Sequence, residues 1–349
     1  MTTTAPPDPG RYTVALVMIV RDEARCLRRC IDSVRAHVDQ IVVVDTGSVD
    51  DTVAIARSAG AEVSHFTWIN DFSAARNAAL ALSRCDWNLV LDADETVYSG
   101  HHILDSLRRE PPQFIGRIEV CSAFSQAHGQ SAVQEASSWI SRILPRTVRF
   151  EGTVHEQAVS DLPRKDLPVV VHHDGYMPEQ MRGKQGRNAA LLAQAVASHP
   201  DDPYLLYQLG KEHEVRDRFA EAGHAYEQAM RLLDSASPRE PGWRHDLLLR
   251  HLFVLKALGR TAQALGEAEK AMAHWQDSPD FFFVLGDLLL EHAIQNPEGA
   301  TEIIPMARQA WQRCLEIGEN PRLEGAVKGR GSHLARHNLD ALSKTLPGL

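Results

Sequence analysis

Apolar residues run without a break through Val14-Ala-Leu-Val-Met-Ile-Val20 and again through Ile41-Val-Val-Val-Asp45 up to its aspartate. A run with no polar alternation suits a strand buried on both faces. Between the two runs the period changes. Over 23–36, Leu27, Ile31 and Val34 recur on one face and the arginines lie elsewhere, which predicts an amphipathic helix. Helices over 50–59 and 73–83 and strands over 61–66 and 87–92 continue the alternation. Gly60 can take the left-handed cap of the 50–59 helix, and Ser48 with Asp51 three residues on predicts a capping box at its start. Strand–helix alternation of this kind predicts a mostly parallel, Rossmann-like α/β sheet with right-handed crossovers. It also places Asp22, Glu23, Asp45, Asp92, Asp94 and Glu95 just past strand ends, the edge where open α/β sheets bind ligands.

Residues 98–180 are less regular, and from 184 onward the period is helical throughout. A repeat of ~34 residues fits the tetratricopeptide pattern. Leu206, Leu209, Gly210, His213, Ala222, Tyr226 and Ala229 occupy its packing positions in a first unit, and Leu248, Leu252, Leu255, Gly259, Ala264, Ala268 and Ala271 in a second. Phe282, Leu285, Gly286, Leu289, Ala307, Trp311 and Cys314 form a third, with an insertion near 296–303. The first unit has Asp217 where a turn glycine is expected, and a helix over 332–346 caps the stack. The chain therefore divides into a Thr/Pro-rich tail at 1–11, an α/β domain at 12–183 and an all-α helical repeat domain at 184–349.

Charge narrows the partners. The 349 residues carry a net charge of −9, with 17 basic and 24 acidic residues up to position 180 and 20 and 22 beyond it. Neither half is basic, which argues against nucleic acid. No stretch reaches the ~18 apolar residues of a membrane span, and the tail lacks the basic start and apolar core of a signal peptide. The five cysteines have no zinc-site spacing beyond Cys26 and Cys30, one helical turn apart, and read as reduced thiols of a cytoplasmic protein.

The acidic edge carries the candidate chemistry. In extended backbone Asp92 and Asp94 point to the same side, and adjacent carboxylates repel unless a cation lies between them. Oxygen ligands suit Mg²⁺ or Mn²⁺, which commonly bridge to substrate phosphates. No Gly-x-Gly-x-x-Gly follows the first strand and no P-loop is present, so dinucleotide and P-loop readings lose support.

Four blocks occur in order: Val14 to Glu23, Ile41-Val-Val-Val-Asp-Thr-Gly-Ser-Val-Asp-Asp-Thr52, Trp68-Ile-Asn-Asp-Phe-Ser-Ala-Ala-Arg-Asn77 and Trp87-Asn-Leu-Val-Leu-Asp-Ala-Asp-Glu95. Together they resemble glycosyltransferase family 2, over roughly 13–97. The Asp-Phe-Ser-x-Ala-Arg-Asn version is most similar to the branch carrying tetratricopeptide repeats, which includes the bacteriocin S-glycosyltransferases. The resemblance implies a GT-A fold, a nucleotide-diphosphate sugar donor and a divalent metal, Mn²⁺ or Mg²⁺. It implies that Asp45 accepts the uracil N–H, that Asp94 binds metal and that Asp92 lies by ribose or metal. Val20, Asp22, Glu23, Asp71, Arg76, Asn77 and Ala93 then line the nucleotide-sugar site. The family's first block often reads Asn-Glu; here it is Asp22-Glu23, without the amide donor.

Trp139 to Glu156 and Val169-Val-Val-His-His-Asp-Gly-Tyr176 resemble later blocks of the same branch. An inverting transfer needs a base on the acceptor. Glu156 is the first candidate and Asp174 the second. His173 fits a third metal ligand, His172 faces the other way, and Arg142 suits a bidentate contact to the diphosphate. His101-His102 matches no block and is read as surface loop. The acceptor is a peptide, protein or glycan, which the helical repeats could engage; they could equally form a homo-oligomer or only pack on the catalytic domain. The competing reading is a non-catalytic tetratricopeptide scaffold with a degenerate transferase domain. The intact Asp45, Arg76, Asn77, Asp92 and Asp94 argue against it. A nucleotidyltransferase would favour a Gly/Arg-rich loop after the first strand, which Val20-Arg-Asp-Glu-Ala24 does not supply.

Overall fold

The computed structural model describes residues 11–124, 134–173, 187–236 and 241–345. Residues 1–10 of the expected tail at 1–11, Asp174 and the predicted boundary at 183 lie outside them. Two compact units are found, one drawn from Met1–Val133 and Trp139–Gln185, the other from Gln134–Ser138 and Gly186–Leu349.

In the first unit β1 (Val14–Val20), β2 (Gln40–Asp45), β3 (Glu62–His65) and β4 (Trp87–Val90) are mutually parallel where they pair, in the order β3-β2-β1-β4. The predicted helices between them are α1 (Leu27–Val34), α2 (Thr52–Ser58) and α3 (Phe72–Leu82). β1 is buried on both faces, as its uninterrupted apolar run requires. Leu16 and Met18 pack with Leu27 and Ile31 of α1, while Ala15 and Val17 pack with Ala79 and Leu80 of α3. Removing one such leucine side chain costs about 2–5 kcal/mol.

The less regular segment completes the sheet and makes it mixed. β5 (Glu95–Ser99), β6 (Ile115–Phe124), β7 (Gln134–Pro145) and β10 (Arg164–His173) extend the order as β4-β7-β6-β10-β5. β7 is antiparallel to β4, β10 is parallel to β6, and β5 is antiparallel to β10. Thus β4 and β5, separated by four residues in sequence, sit with three later strands between them. β8 (Arg149–Glu151) and β9 (Gln157–Val159) form a separate two-stranded sheet. His101 and His102 are not in a loop; they open α4 (His101–Ser106), where His101 Nε2 meets the Ser33 carbonyl oxygen at 3.0 Å.

The second unit is helical: α5 (Arg187–Ser198), α6 (Pro203–Glu214), α7 (Phe219–Ala236), α8 (Arg244–Ala257), α9 (Thr261–Ala271), α10 (Pro279–Gln295), α11 (Ala300–Ile317) and α12 (His333–Thr345). These are tetratricopeptide-type hairpins. A Cβ on Gly210 would lie 2.1 Å from the Tyr226 ring, and one on Gly286 would lie 2.5 Å from Trp311 Nε1. Only glycine lets the paired helices approach that closely. Asp217 takes the turn role of the absent glycine, with φ +56°, a region aspartate tolerates better than most residues. The insertion near 296–303 follows α10 as a 3₁₀ turn at Pro297–Gly299 and the first turn of α11.

Candidate functional site

The loops after β1 and β2 are laced together at the carboxyl edge. Asp22 (φ +54°) donates its N–H to Ser48 Oγ at 2.9 Å and accepts Val49 N–H at 2.8 Å. Glu23 N–H reaches Thr52 Oγ1 at 2.7 Å, and Ala24 N–H reaches Asp50 at 3.1 Å. This corrects the expected Ser48–Asp51 capping box. Asp51 at the N-cap makes no side-chain cap bond; Asp50 accepts the Thr52 N–H at 2.9 Å, and the Ser48 hydroxyl serves Asp22. Asp22 therefore braces the loop.

Asp45 ends β2 with its side chain 4% exposed. It accepts N–H groups from Gly47 and Ser48 at 3.1–3.3 Å and faces His65 Nδ1 at 3.2 Å. Burial alone would raise its pKa, but the hydrogen bonds from Ser48, Gly47 and His65 outweigh it and hold the carboxyl below its usual range. Asp45 is thus a fixed, ionised acceptor.

Around Asp92 lies an ion-pair network. Arg76 Nη2 donates to one Asp92 oxygen at 2.7 Å and Arg142 Nη2 to the other at 2.8 Å. Arg76 Nε pairs with Glu156, and Arg142 Nη2 also donates to Glu95 at 2.5 Å. Glu95 in turn accepts the Asp92 N–H at 2.9 Å. Burial opposes the charge on Asp92, yet the two guanidiniums hold its carboxyl far below the usual range. On Glu95 burial prevails over Arg142, and the neighbouring Asp92 charge adds to the upward shift. Asp92 was expected as a metal ligand; both its oxygens are committed to arginines. Arg142 is likewise held by carboxylates, and the Arg76–Glu156 pair ties α3 to the loop before β9.

The metal expectation then falls on Asp94 and His173. Asp94 is 4% exposed, and His173 Nε2 lies 3.4 Å from its Oδ1. The last residue of β10 reaches this corner because His173 is the register partner of Glu95 on β5. His173 Nδ1 lies 3.4 Å from Ser122 Oγ. Burial alone would lower the His173 pKa; the Asp94 partner, with Glu95 and Asp92 behind it, raises it. Among the described residues no group of three or more His, Cys, Asp or Glu side chains forms a metal cage. A carboxylate and an imidazole fit a hard divalent ion that takes its remaining ligands from phosphate and water.

Other expected residues hold the fold around the site. Asp71 caps α3, accepting Ala74 N–H at 2.9 Å and the Ser73 hydroxyl at 2.8 Å. Asn77 exchanges two 2.9 Å bonds with the backbone of Phe150, pinning β8. Both were expected at the nucleotide; in this structure Asp71 bonds the first turn of α3 and Asn77 the Phe150 backbone. Val20 and Ala93 are buried at the strand ends. His172 stacks on Tyr98, ring centroids 4.4 Å apart, away from His173 as expected. Cys26 and Cys30 are buried free thiols, and burial with the nearby Glu23 pushes Cys26 up to about 12. The sequence places Glu95 at the acidic edge without giving it a role, and does not single out His65. Glu95 carried a signal, following the Asp-x-Asp pair directly; His65 carried none.

Residues 15–125 match the profile of glycosyl transferase family 2. A TPR repeat-containing protein of Synechococcus elongatus is 38% identical over 212 residues, covering 56% of this chain and 51% of the relative. The SPbeta prophage-derived glycosyltransferase SunS of Bacillus subtilis is 27% identical over 218 residues, covering 60% and 51%. The chain thus spans about half the length of the curated relatives it matches. Among solved structures, glucosyl-3-phosphoglycerate synthase of Mycobacterium tuberculosis in complex with Mn²⁺, UDP and glucosyl-3-phosphoglycerate has a TM-score of 0.26 at 23% identity, over 34% of this chain and 45% of that one. Among the described residues no helix is long and apolar enough to cross a membrane.

Proposed function

We propose that this family 2 glycosyltransferase domain is catalytic and moves a sugar from a nucleotide-diphosphate donor, a UDP-sugar, to a peptide, protein or glycan acceptor with inversion. The observation that carries the reading is the convergence of Asp94 and His173 at 3.4 Å, beside the Arg76–Asp92–Arg142–Glu95 network. A degenerate domain has no reason to keep four buried or half-buried charges in mutual register.

Asp45 accepts the ring N–H of the base, a role its ionised carboxylate suits. Asp94 and His173 would hold Mn²⁺ or Mg²⁺, which supplies charge relief to the departing diphosphate. Asp92 positions Arg76 and Arg142. Glu156 serves as the base, and its pairing with Arg76 fixes its position beside the Asp92 network. Asp174 is the alternative base. The acceptor is engaged by the helical repeats, whose stacking creates concave surfaces suited to peptides. A cytoplasmic location belongs to the same proposal, supported by the four buried free thiols.

The test is a panel of UDP-, GDP-, CDP- and TDP-sugars, reading nucleotide release with and without Mn²⁺. Metal-dependent release from a UDP-sugar is the expected result. No release from any donor, with no nucleotide raising the melting temperature, overturns the proposal in favour of a scaffold.

A further inference from the structure

Asp45 is surrounded unequally. Its Oδ2 faces Gly47 N–H at 3.2 Å, Ser48 N–H at 3.3 Å and His65 Nδ1 at 3.2 Å. Its Oδ1 receives the Ser48 N–H at 3.1 Å, and the Ser48 hydroxyl also bonds this carboxylate. A carboxylate offers about four lone-pair sites, and three of the N–H contacts to Asp45, that of His65 among them, fall on Oδ2 against one on Oδ1. His65 is placed to do this by the sheet. Asp45 and His65 are register partners at the ends of parallel β2 and β3, so the pair is set by strand pairing rather than by a loop. The carboxylate is buried while the imidazole is 61% exposed at the ligand-binding edge. A purely structural partner for a buried aspartate has no need to stand in solvent.

Resting on the donor reading above, we propose that His65 is a specificity-determining positioning residue for the nucleobase. Its Nδ1–H ties down Asp45 Oδ2 and turns Oδ1 toward the ligand as an obligate acceptor. The base that satisfies it carries a ring N–H, as uracil and thymine do. Cytosine presents a lone pair at that ring nitrogen and sets acceptor against acceptor. A site built to hydrogen-bond one group rejects the analogue lacking it because the buried polar atom is left unpaired. Freed from His65, Asp45 can rotate and the discrimination falls.

The experiment compares UDP and CDP binding, by calorimetry with Mn²⁺, to the full chain and to His65→Ala and His65→Asn. Asparagine keeps a short N–H donor. Wild type is expected to prefer UDP by about tenfold or more, His65→Ala to lose most of that preference mainly through weaker UDP binding, and His65→Asn to restore part of it. In turnover the loss appears in the donor KM, with kcat little changed. UDP binding with the wild-type preference retained in His65→Ala overturns the inference alone. Absence of UDP binding by wild type overturns the donor reading and the inference with it. A melting temperature within about 2 °C of wild type for His65→Ala separates lost selectivity from lost folding.

Discussion

Arg142 uses a single nitrogen, Nη2, to hold both Asp92, at 2.8 Å, and Glu95, at 2.5 Å. Glu95 is 2% exposed and also accepts the Asp92 N–H, so one guanidinium sustains the corner that carries the Asp-x-Asp pair. Arg142→Met is expected to destabilise the first unit by about 3–5 kcal/mol, because it leaves a buried carboxylate unpaired. Denaturant unfolding checks this. The double variant Arg142→Met/Glu95→Gln should recover part of the loss, and no recovery would mean the pair is not coupled.

Asp94→Ala is expected to abolish the rise in melting temperature that Mn²⁺ with UDP gives the wild type. The folded protein itself should be little affected, since Asp94 is bonded to His173 at the end of strands rather than packed in the apolar core. An undiminished rise in the variant would move the metal elsewhere.

Glu156→Gln should keep UDP binding and lose transfer by about 10²–10⁴-fold, the usual contribution of a general base. The amide can still accept from Arg76, so the Arg76–Asp92 pairing survives. Retained transfer to an identified acceptor would shift the role to Asp174.

Two helical glycines behave oppositely. Gly210→Ala drives a methyl into the Tyr226 ring, 2.1 Å away, and is expected to cost about 1–3 kcal/mol as overpacking. Gly266, inside α9, has nothing within 4 Å of a built Cβ, so Gly266→Ala should stabilise by about 0.5–1 kcal/mol through helix propensity. Thermal unfolding of the two variants gives the signs directly.

Asp246 in the second unit accepts Tyr207 Oη–H at 2.5 Å and Arg250 Nε–H at 2.6 Å. Burial would raise its pKa, but Arg250, Lys211 and the Tyr207 bond bring it down to about 2. The unfolded carboxyl titrates near ~3.9. The unfolded chain therefore binds the proton first, so this stabilisation is fully present above about pH 4 and disappears as the pH falls through about 2. The stability gap between wild type and Asp246→Asn, from urea midpoints, should narrow over that window. A gap constant from pH 5 to pH 2 would show that the carboxylate's charge is not what stabilises the unit.

The β1, β2 and β4 runs were legible because burial on both faces leaves no polar alternation, and strand ends located Asp45, Asp92 and Asp94. Gly210 and Gly286 were legible because helices pack that closely only over a missing Cβ. That Asp92 would be held by arginines was not legible because its partners, Arg76 and Arg142, lie 16 residues before it and 50 after it. Pairing at that distance leaves no local pattern. His65 was invisible for the same reason, since its role depends on the β2–β3 register. Asn77 and Asp71 fell in a recognisable block, yet a block does not reveal whether a side chain faces ligand or backbone.

The four-residue gap between β4 and β5 has a kinetic side. Asp92 and Asp94 sit where the chain leaves the middle of the sheet for its far edge, and the strands that fill the interval are made only later. A nascent chain extending just past β5 already contains Asp45, Asp92 and Asp94, but not Arg142, Glu156 or His173. During synthesis Asp92 has only Arg76 at first; Arg142 follows about forty residues after β5 and His173 about seventy-five. Long-range closures of this kind are slow because loop entropy is spent before contacts form. Completion of the site is accordingly expected to be the last step in folding of the first unit.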